Sequence, residues 1–268
     1  VTSTRGAHGV LLTVAYDGRS FAGFALQREQ RTVMGELLGA LRELDPTIRE
    51  LRGASRTDAG VHARGQRVAF DATADISPRG WMLGTLRHLP NEISIQRAAV
   101  IEPGYTPRFD SIKKHYRYLL LDTVGRDPFL YGRAMRIAGI SHPDALERAR
   151  TEASLAVGTH DFAAFRSSAD TRDNTLRTLE RLDVGLDPSD ARLVRIDIEG
   201  DAFMHNMVRI LVGTIVEVAR RRLAPGAISR AIASHDRRDA GFTAPSAGLY
   251  LERVELHREG YDAWPPGS

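Results

Sequence analysis

One stretch of this chain concentrates the groups that could do chemistry. Residues 53–66 read Gly53-Ala54-Ser55-Arg56-Thr57-Asp58-Ala59-Gly60-Val61-His62-Ala63-Arg64-Gly65-Gln66. They hold one carboxylate, Asp58, with Arg56 and Arg64 on either side. Guanidinium charge keeps a neighbouring carboxylate ionised and oriented. Gly60 and Gly65 allow sharp turns. Asp-Ala-Gly is also ordinary turn chemistry, so the local pattern leaves a plain loop open. Two other places carry groups of interest. Tyr116 and Tyr118 alternate with Arg117, as on a half-buried strand, and Tyr118 is expected to be the one facing the core. Arg209 lies among Met207, Val208, Ile210 and Leu211, where a lone arginine is commonly a rim residue with a solvated tip. His62, His160 and His205 share no ligand spacing on one element, so no metal site is read. Asp161 and Asp236 read as caps or turn residues.

The elements that must position these groups follow from periodicity. Residues 10–16 alternate as a strand. Thr32 caps a helix with Val33, Leu37, Leu38, Leu41 and Leu44 at helical spacing. Strand-like runs come at 50–54 and 66–70, which places the Asp58 stretch in a loop between two strands. Ser77-Pro78 opens a helix carrying Trp81, Met82, Leu83 and Leu86, and 93–100 is a strand. The second half repeats the order: strand 116–121, helix 143–157, strands 179–186 and 193–198, helices 206–222 and 225–234, and a last strand at 249–256. Residues 125–139 and 170–174 read as surface insertions. No repeat of sequence accompanies the repeat of order. The expected fold is α+β: two ferredoxin-like (βαββαβ) halves, residues 1–110 and 111–268, joined into one extended, mainly antiparallel sheet with flanking helices.

Composition bounds the setting. The 268 residues are 42% hydrophobic, enough for one large core or two modest ones. The longest apolar candidate, 210–218, is too short to span a membrane. Residues 1–9 lack the apolar core of a secretory signal, and there is no cysteine for disulfides or thiolate sites. A soluble cytoplasmic protein is expected. Net charge is only +3, yet all but two of the 37 basic residues are arginine, the lysines being Lys113 and Lys114. Arginine forks suit phosphate oxygens and stack on bases, which favours a nucleic-acid partner; a codon bias toward arginine explains the same count.

The 53–66 stretch resembles the R-T-D-A-G-V-H motif of the tRNA pseudouridine synthase A family. Further blocks follow in the family's order. They are Arg108-Phe109 with Lys114-His115-Tyr116-Arg117-Tyr118, then residues 158–166 (Gly-Thr-His-Asp-Phe-Ala-Ala-Phe-Arg) and Arg177-Thr178-Leu179. Residues 203–214 (Phe-Met-His-Asn-Met-Val-Arg-Ile-Leu-Val-Gly-Thr), 240–245 and 248–251 complete the set. The resemblance spans about residues 10–256 and implies the pseudouridine synthase fold. It implies isomerisation of uridine to pseudouridine at tRNA positions 38, 39 and 40 in the anticodon stem-loop, with no cofactor. Asp58 would be the catalytic carboxylate, and Arg209 would pair with it. Tyr116 would stack on the flipped base and accept the C5 proton. Arg56, His62, Arg64, Arg108, Tyr116 and His205 would bind substrate. A homodimer acting on tRNA, away from membranes, is implied.

The sequence departs from the family where F-x-G-W-Q-x-Q is usual. Here the text is Phe21-Ala22-Gly23-Phe24-Ala25-Leu26-Gln27, with Met34 in place of a Gln and Leu86 in place of an Asn. These changes bear on how RNA is positioned. Two other functions compete. A non-catalytic RNA-binding protein would not need Asp58, Tyr116 and Arg209 together. A glycosidic-bond hydrolase ordinarily needs two carboxylates flanking the bond, and this loop offers one.

Overall fold

The computed structural model describes residues 8–167, 170 and 173–266. Along the chain run β1 (His8–Tyr16), α1 (Val33–Arg42), β2 (Arg52–Gly53), β3 (His62–Ala72), α2 (Pro78–Leu86) and β4 (Ile93–Ile101). Then come β5 (Ser111–Leu121), β6 (Met135–Arg136), α3 (Pro143–Ser154), β7 (Gly158–Asp161), β8 (Leu176–Leu186) and β9 (Leu193–Gly200). α4 (Met207–Ala219), α5 (Ala227–Ser234), β10 (Leu249–Leu256) and β11 (Tyr261–Trp264) complete the order. The chain forms two compact units. One takes in the described residues up to Ile112 together with those from Leu251 onward; the other takes in the described residues between Lys113 and Tyr250. Both are α+β with mainly antiparallel pairing, the expected class.

In the first unit the sheet order is β11-β4-β1-β3, with β2 and β10 also beside β3. β1 is central, paired with β3 along one edge and with β4 along the other, and its alternate residues are apolar. Val10, Leu12 and Val14 stand opposite Phe70, Val68 and Gln66 on one side, and Val10 and Leu12 stand opposite Val100 and Ala98 on the other. That face meets the helices: Phe70 packs edge-on to Trp81 of α2 at 5.1 Å. Thr32 Oγ1 accepts from Gly35 N at 3.2 Å and starts α1, whose Val33, Leu37, Leu38 and Leu41 are buried. Ser77 Oγ does the same for α2.

Several boundaries differ from the periodicity. α1 stops at Arg42, so Leu44 lies past its end, where it packs against Gly84 of α2. On α2 only Trp81 and Thr85 are buried; Met82, Leu83 and Leu86 are more exposed because a single turn of this short helix meets the sheet. The strand expected at 50–54 shrinks to β2, and β3 begins at His62 rather than 66. β10 is not the last strand, since β11 follows and pairs with β4.

In the second unit the order is β5-β9-β8-β7, with β6 added parallel to β5. α4 is apolar on nearly every side and almost wholly buried. Glu152 of α3 is buried and accepts from Gly226 N and Ile228 N at 2.8 and 2.6 Å. Its charge satisfies the orphan amides at the start of α5. Of the two insertions read from sequence, 125–139 is largely exposed, and positions 171–172 of the other lie outside the described residues.

Candidate active site

Asp58 sits at the turn that leads into β3, and the segment before it is strapped down within the first unit. Tyr16, at the end of β1, places its hydroxyl 2.7 Å from Thr57 Oγ1, and both residues are buried. Phe24 N donates to Thr57 O at 3.0 Å, and Val61 N donates to Asp58 O at 3.1 Å. Gln66, fully buried, takes Ser55 N on its Oε1 and gives its Nε2 to Ser55 O. A neighbouring loop clasps the same turn. Gly18 approaches so closely that a Cβ there would lie 2.0 Å from Val61 O. Gly18 N donates to His62 Nδ1 at 3.2 Å. These contacts hold the backbone on both sides of Asp58 while its side chain stays partly exposed.

Arg56 and Arg64 are exposed on this segment, and Arg64 Nε lies 3.7 Å from Glu252 of β10. His62 is buried, so it is a hydrogen-bonding member of the scaffold. Arg108 is exposed in the loop after β4, beside Phe109, which is 87% exposed. Phe24, where the sequence departs from the family's Trp, is a core residue. It stacks on Tyr16 with ring centroids 6.2 Å apart and fills the space above Gly53.

The second unit holds Tyr116, Tyr118, His205 and Arg209. Tyr116 and Tyr118 stand opposite Ile198 and Ile196 on β9, and both are buried. The expectation that only one faces inward is corrected: residues two apart on a strand share a face. What separates them is position along the strand. Tyr118 donates to Pro245 O at 2.7 Å, while Tyr116 packs edge-on to Phe203 at 5.1 Å. Burial pushes the Tyr118 hydroxyl well above its ordinary pKa, with the Arg209 charge acting against the rise.

Arg209 is held by residues around it and is not a loose rim arginine. Its Nε donates to Ala244 O and its Nη1 to Asn206 Oδ1, both at 2.7 Å, and Ala244 N donates back to Arg209 O at 3.0 Å. Asn206 takes φ 64°, the left-handed region, just before the helix begins. The glycines around this loop explain themselves. A Cβ on Gly213 would lie 1.8 Å from Phe242 O, and Gly241 N donates to Thr214 Oγ1 at 2.8 Å. The 240–245 loop thus locks onto α4 and presents carbonyls to both Arg209 and Tyr118. His205 is exposed, with its backbone N on Asp170 Oδ2 at 3.0 Å. His160 meets Val157 O at 3.0 Å. Asp161 and Asp236 do cap turns, accepting from Ala163 N and Arg238 N.

Comparison with known proteins shows the family. A family model described as tRNA pseudouridine synthase matches residues 153–256. The tRNA pseudouridine synthase A of Geobacter sulfurreducens is 35% identical over 247 residues, 92% of this chain and 99% of that protein. Its counterpart in Acetivibrio thermocellus is 36% identical over 245 residues, 91% and 98% of the two chains. That of Leuconostoc citreum is 38% identical over 252 residues, 90% and 95%. The chain belongs to the tRNA pseudouridine synthase A family. It is an isomerase of that class. The residues of this chain that sequence reading passed over are the supports: Tyr16, Thr57, Gln66, Gly18 and the Ala244-Pro245 carbonyls. The available signal was Gln66 close before the apolar run Val68-Ala69-Phe70 of β3, a residue type that is costly to bury unless hydrogen-bonded. Among the described residues no helix is long and apolar enough to cross a membrane.

Proposed function

We propose that this chain converts uridine to pseudouridine in the anticodon stem-loop of tRNA, at positions 38, 39 or 40, with Asp58 as the catalytic carboxylate. The supporting observation is the family's R-T-D-A-G-V-H text held rigid by the Tyr16, Gln66 and Gly18 contacts, with the Asp58 side chain left partly exposed. In this reaction the C1′–N1 bond breaks, uracil turns, and C1′ joins C5. C5 loses a proton and N1 ends protonated, so atoms balance without an oxidant, a cofactor or a second substrate. The target nucleotide leaves its stack to reach Asp58. Arg209 pairs with Asp58 and keeps it ionised. Tyr116 stacks on the extruded base and takes the C5 proton. Arg56, His62, Arg64, Arg108 and His205 serve the RNA, with the exposed arginines on phosphates and buried His62 supporting the loop. The enzyme works as a homodimer in the cytoplasm.

The test is Asp58→Asn, which removes charge and nucleophilicity with little change in volume. Pseudouridine mapped by its specific chemistry in tRNA should fall below detection, with tRNA affinity within about twofold of wild type. Turnover within tenfold of wild type, about 1.4 kcal/mol of barrier, refutes the assignment.

A further inference from the structure

We propose that Arg67, Thr13 and Arg97 form a binding site for a phosphate group, which the Glu259 carboxylate occupies as an internal stand-in. The site belongs to the first unit, on the sheet face opposite the one that packs on α2. Thr13 on the central strand stands directly opposite Arg67 on β3 and opposite Arg97 on β4. The register therefore lays Arg–Thr–Arg in one row across three strands, each about 4.8 Å from the next.

This row is built. Arg67 is only 7% exposed, and Arg67 Nη1 donates to Thr13 Oγ1 at 3.0 Å. Both guanidinium groups converge on one carboxylate oxygen. Glu259 Oε2 is hydrogen-bonded by Arg67 Nη2 and lies 3.8 Å from Arg97 Nη1, which also donates to the Glu259 carbonyl at 2.9 Å. Two cations thus share one anion. The Nε groups of Arg67 and Arg97 are both buried with no hydrogen-bond partner among the described residues. Other acids nearby are engaged: Asp71 with Arg52, and Asp110 and Glu102 with Arg258. Burial lowers the Arg67 pKa, Glu259 opposes that fall, and the Arg97 charge adds to it.

A phosphate answers both deficits. It brings more acceptor oxygens than a carboxylate, in the geometry that guanidinium forks match. Glu259 is able to give way. Its side chain is 47% exposed, and it stands on the C-terminal segment just before β11, away from the fixed rows of the sheet. The same phosphate chemistry comes from an RNA backbone or from the free ion. The proposal does not depend on the isomerase reading, because binding and turnover are measured separately.

The experiment titrates the full chain with inorganic phosphate against chloride at equal ionic strength, read by phosphorus NMR and by thermal shift. Glu259→Gln keeps the side-chain volume and removes the competing charge, and should bind phosphate at least about tenfold more tightly than wild type. Arg97→Gln in that background should abolish the gain. A parallel titration with tRNA decides the source. A gain for tRNA, with a salt dependence steeper by about one phosphate contact, assigns the site to RNA backbone. A gain for inorganic phosphate alone assigns it to the free ion. No gain with either probe, or a gain that survives Arg97→Gln, overturns the proposal. If Glu259→Gln fails to fold, wild type and Arg97→Gln are compared directly. Equal stabilisation of the two by phosphate overturns the site, and stabilisation of wild type alone supports it.

Discussion

Two glycines that look alike in the sequence should respond oppositely to alanine. Gly39 lies inside α1 and Gly213 inside α4. In a helix interior alanine is favoured over glycine by about 1 kcal/mol. Gly39 is exposed, and a Cβ there meets nothing within 4 Å. Gly39→Ala should therefore stabilise by about 0.5–1 kcal/mol and raise Tm by about 1–4 °C. At Gly213 the same atom would sit 1.8 Å from Phe242 O and 2.9 Å from Phe242 C. The 240–245 loop would have to move by more than about 1 Å, which is overpacking of a buried contact at about 1–3 kcal/mol. That movement also strains the Gly241–Thr214 and Arg209–Ala244 hydrogen bonds, each worth about 1 kcal/mol. Set against the helix gain, Gly213→Ala should lose about 1–4 kcal/mol. Turnover should fall as well, because the loop that carries the displaced Phe242 carbonyl also carries the Ala244 carbonyl that holds Arg209. The assay is urea denaturation of both variants, with single-turnover pseudouridine formation at a temperature where each is folded. Gly213→Ala as stable as Gly39→Ala, with wild-type turnover, would refute the reasoning.

Other outcomes are equally specific. Tyr116→Phe should bind tRNA normally, since a phenyl ring still offers a stacking face worth about 1–3 kcal/mol, but its single-turnover rate should drop at least about tenfold. Tyr118→Phe should instead keep its turnover and lose about 1 kcal/mol of stability, because the Pro245 carbonyl loses its donor; the reverse pattern would exchange the two roles. Asp45 is a pH-dependent staple: burial raises its pKa, but the Thr47 hydroxyl and the amides of Ala74, Thr47 and Thr73 outweigh that and bring it down to about 2. A depressed carboxylate contributes stability that is present above its unfolded pKa near 4 and is lost as pH falls toward 2, so Asp45→Asn should cost about 2 kcal/mol at neutral pH. Urea midpoints of variant and wild type should draw together as pH falls from about 4 to about 2, and a constant gap would contradict the assignment. Affinity for tRNA should fall steeply with salt, by roughly 0.7–0.9 logarithmic units per phosphate contact, and a slope below about one would leave the arginines without a role in RNA binding.

The sequence by itself determined most of the longer elements and the reaction class. Capping by Thr32 and Ser77, the apolar stripe of α1 and the alternation along β1 are local signals, and each appeared where the residues placed it. The Asp58 motif was legible because its text is long and unusual. What lay beyond sequence was everything that depends on residues far apart in the chain. Whether β3 begins at His62 or at 66 depends on its partners Tyr16 and Val14, not on its own pattern. That the segment from Leu251 onward returns to the first unit follows from the pairing of β11 with β4, a contact more than 150 residues long in sequence. The supports of Asp58 are of the same kind: Tyr16 meets Thr57 across 41 positions, and Gly18 meets His62 across 44. Gly39 and Gly213 state the difference most simply. Helix propensity gives both the same sign, because it counts only the backbone's own freedom. The sign at Gly213 is set by the Phe242 carbonyl, which tertiary packing alone brings against α4.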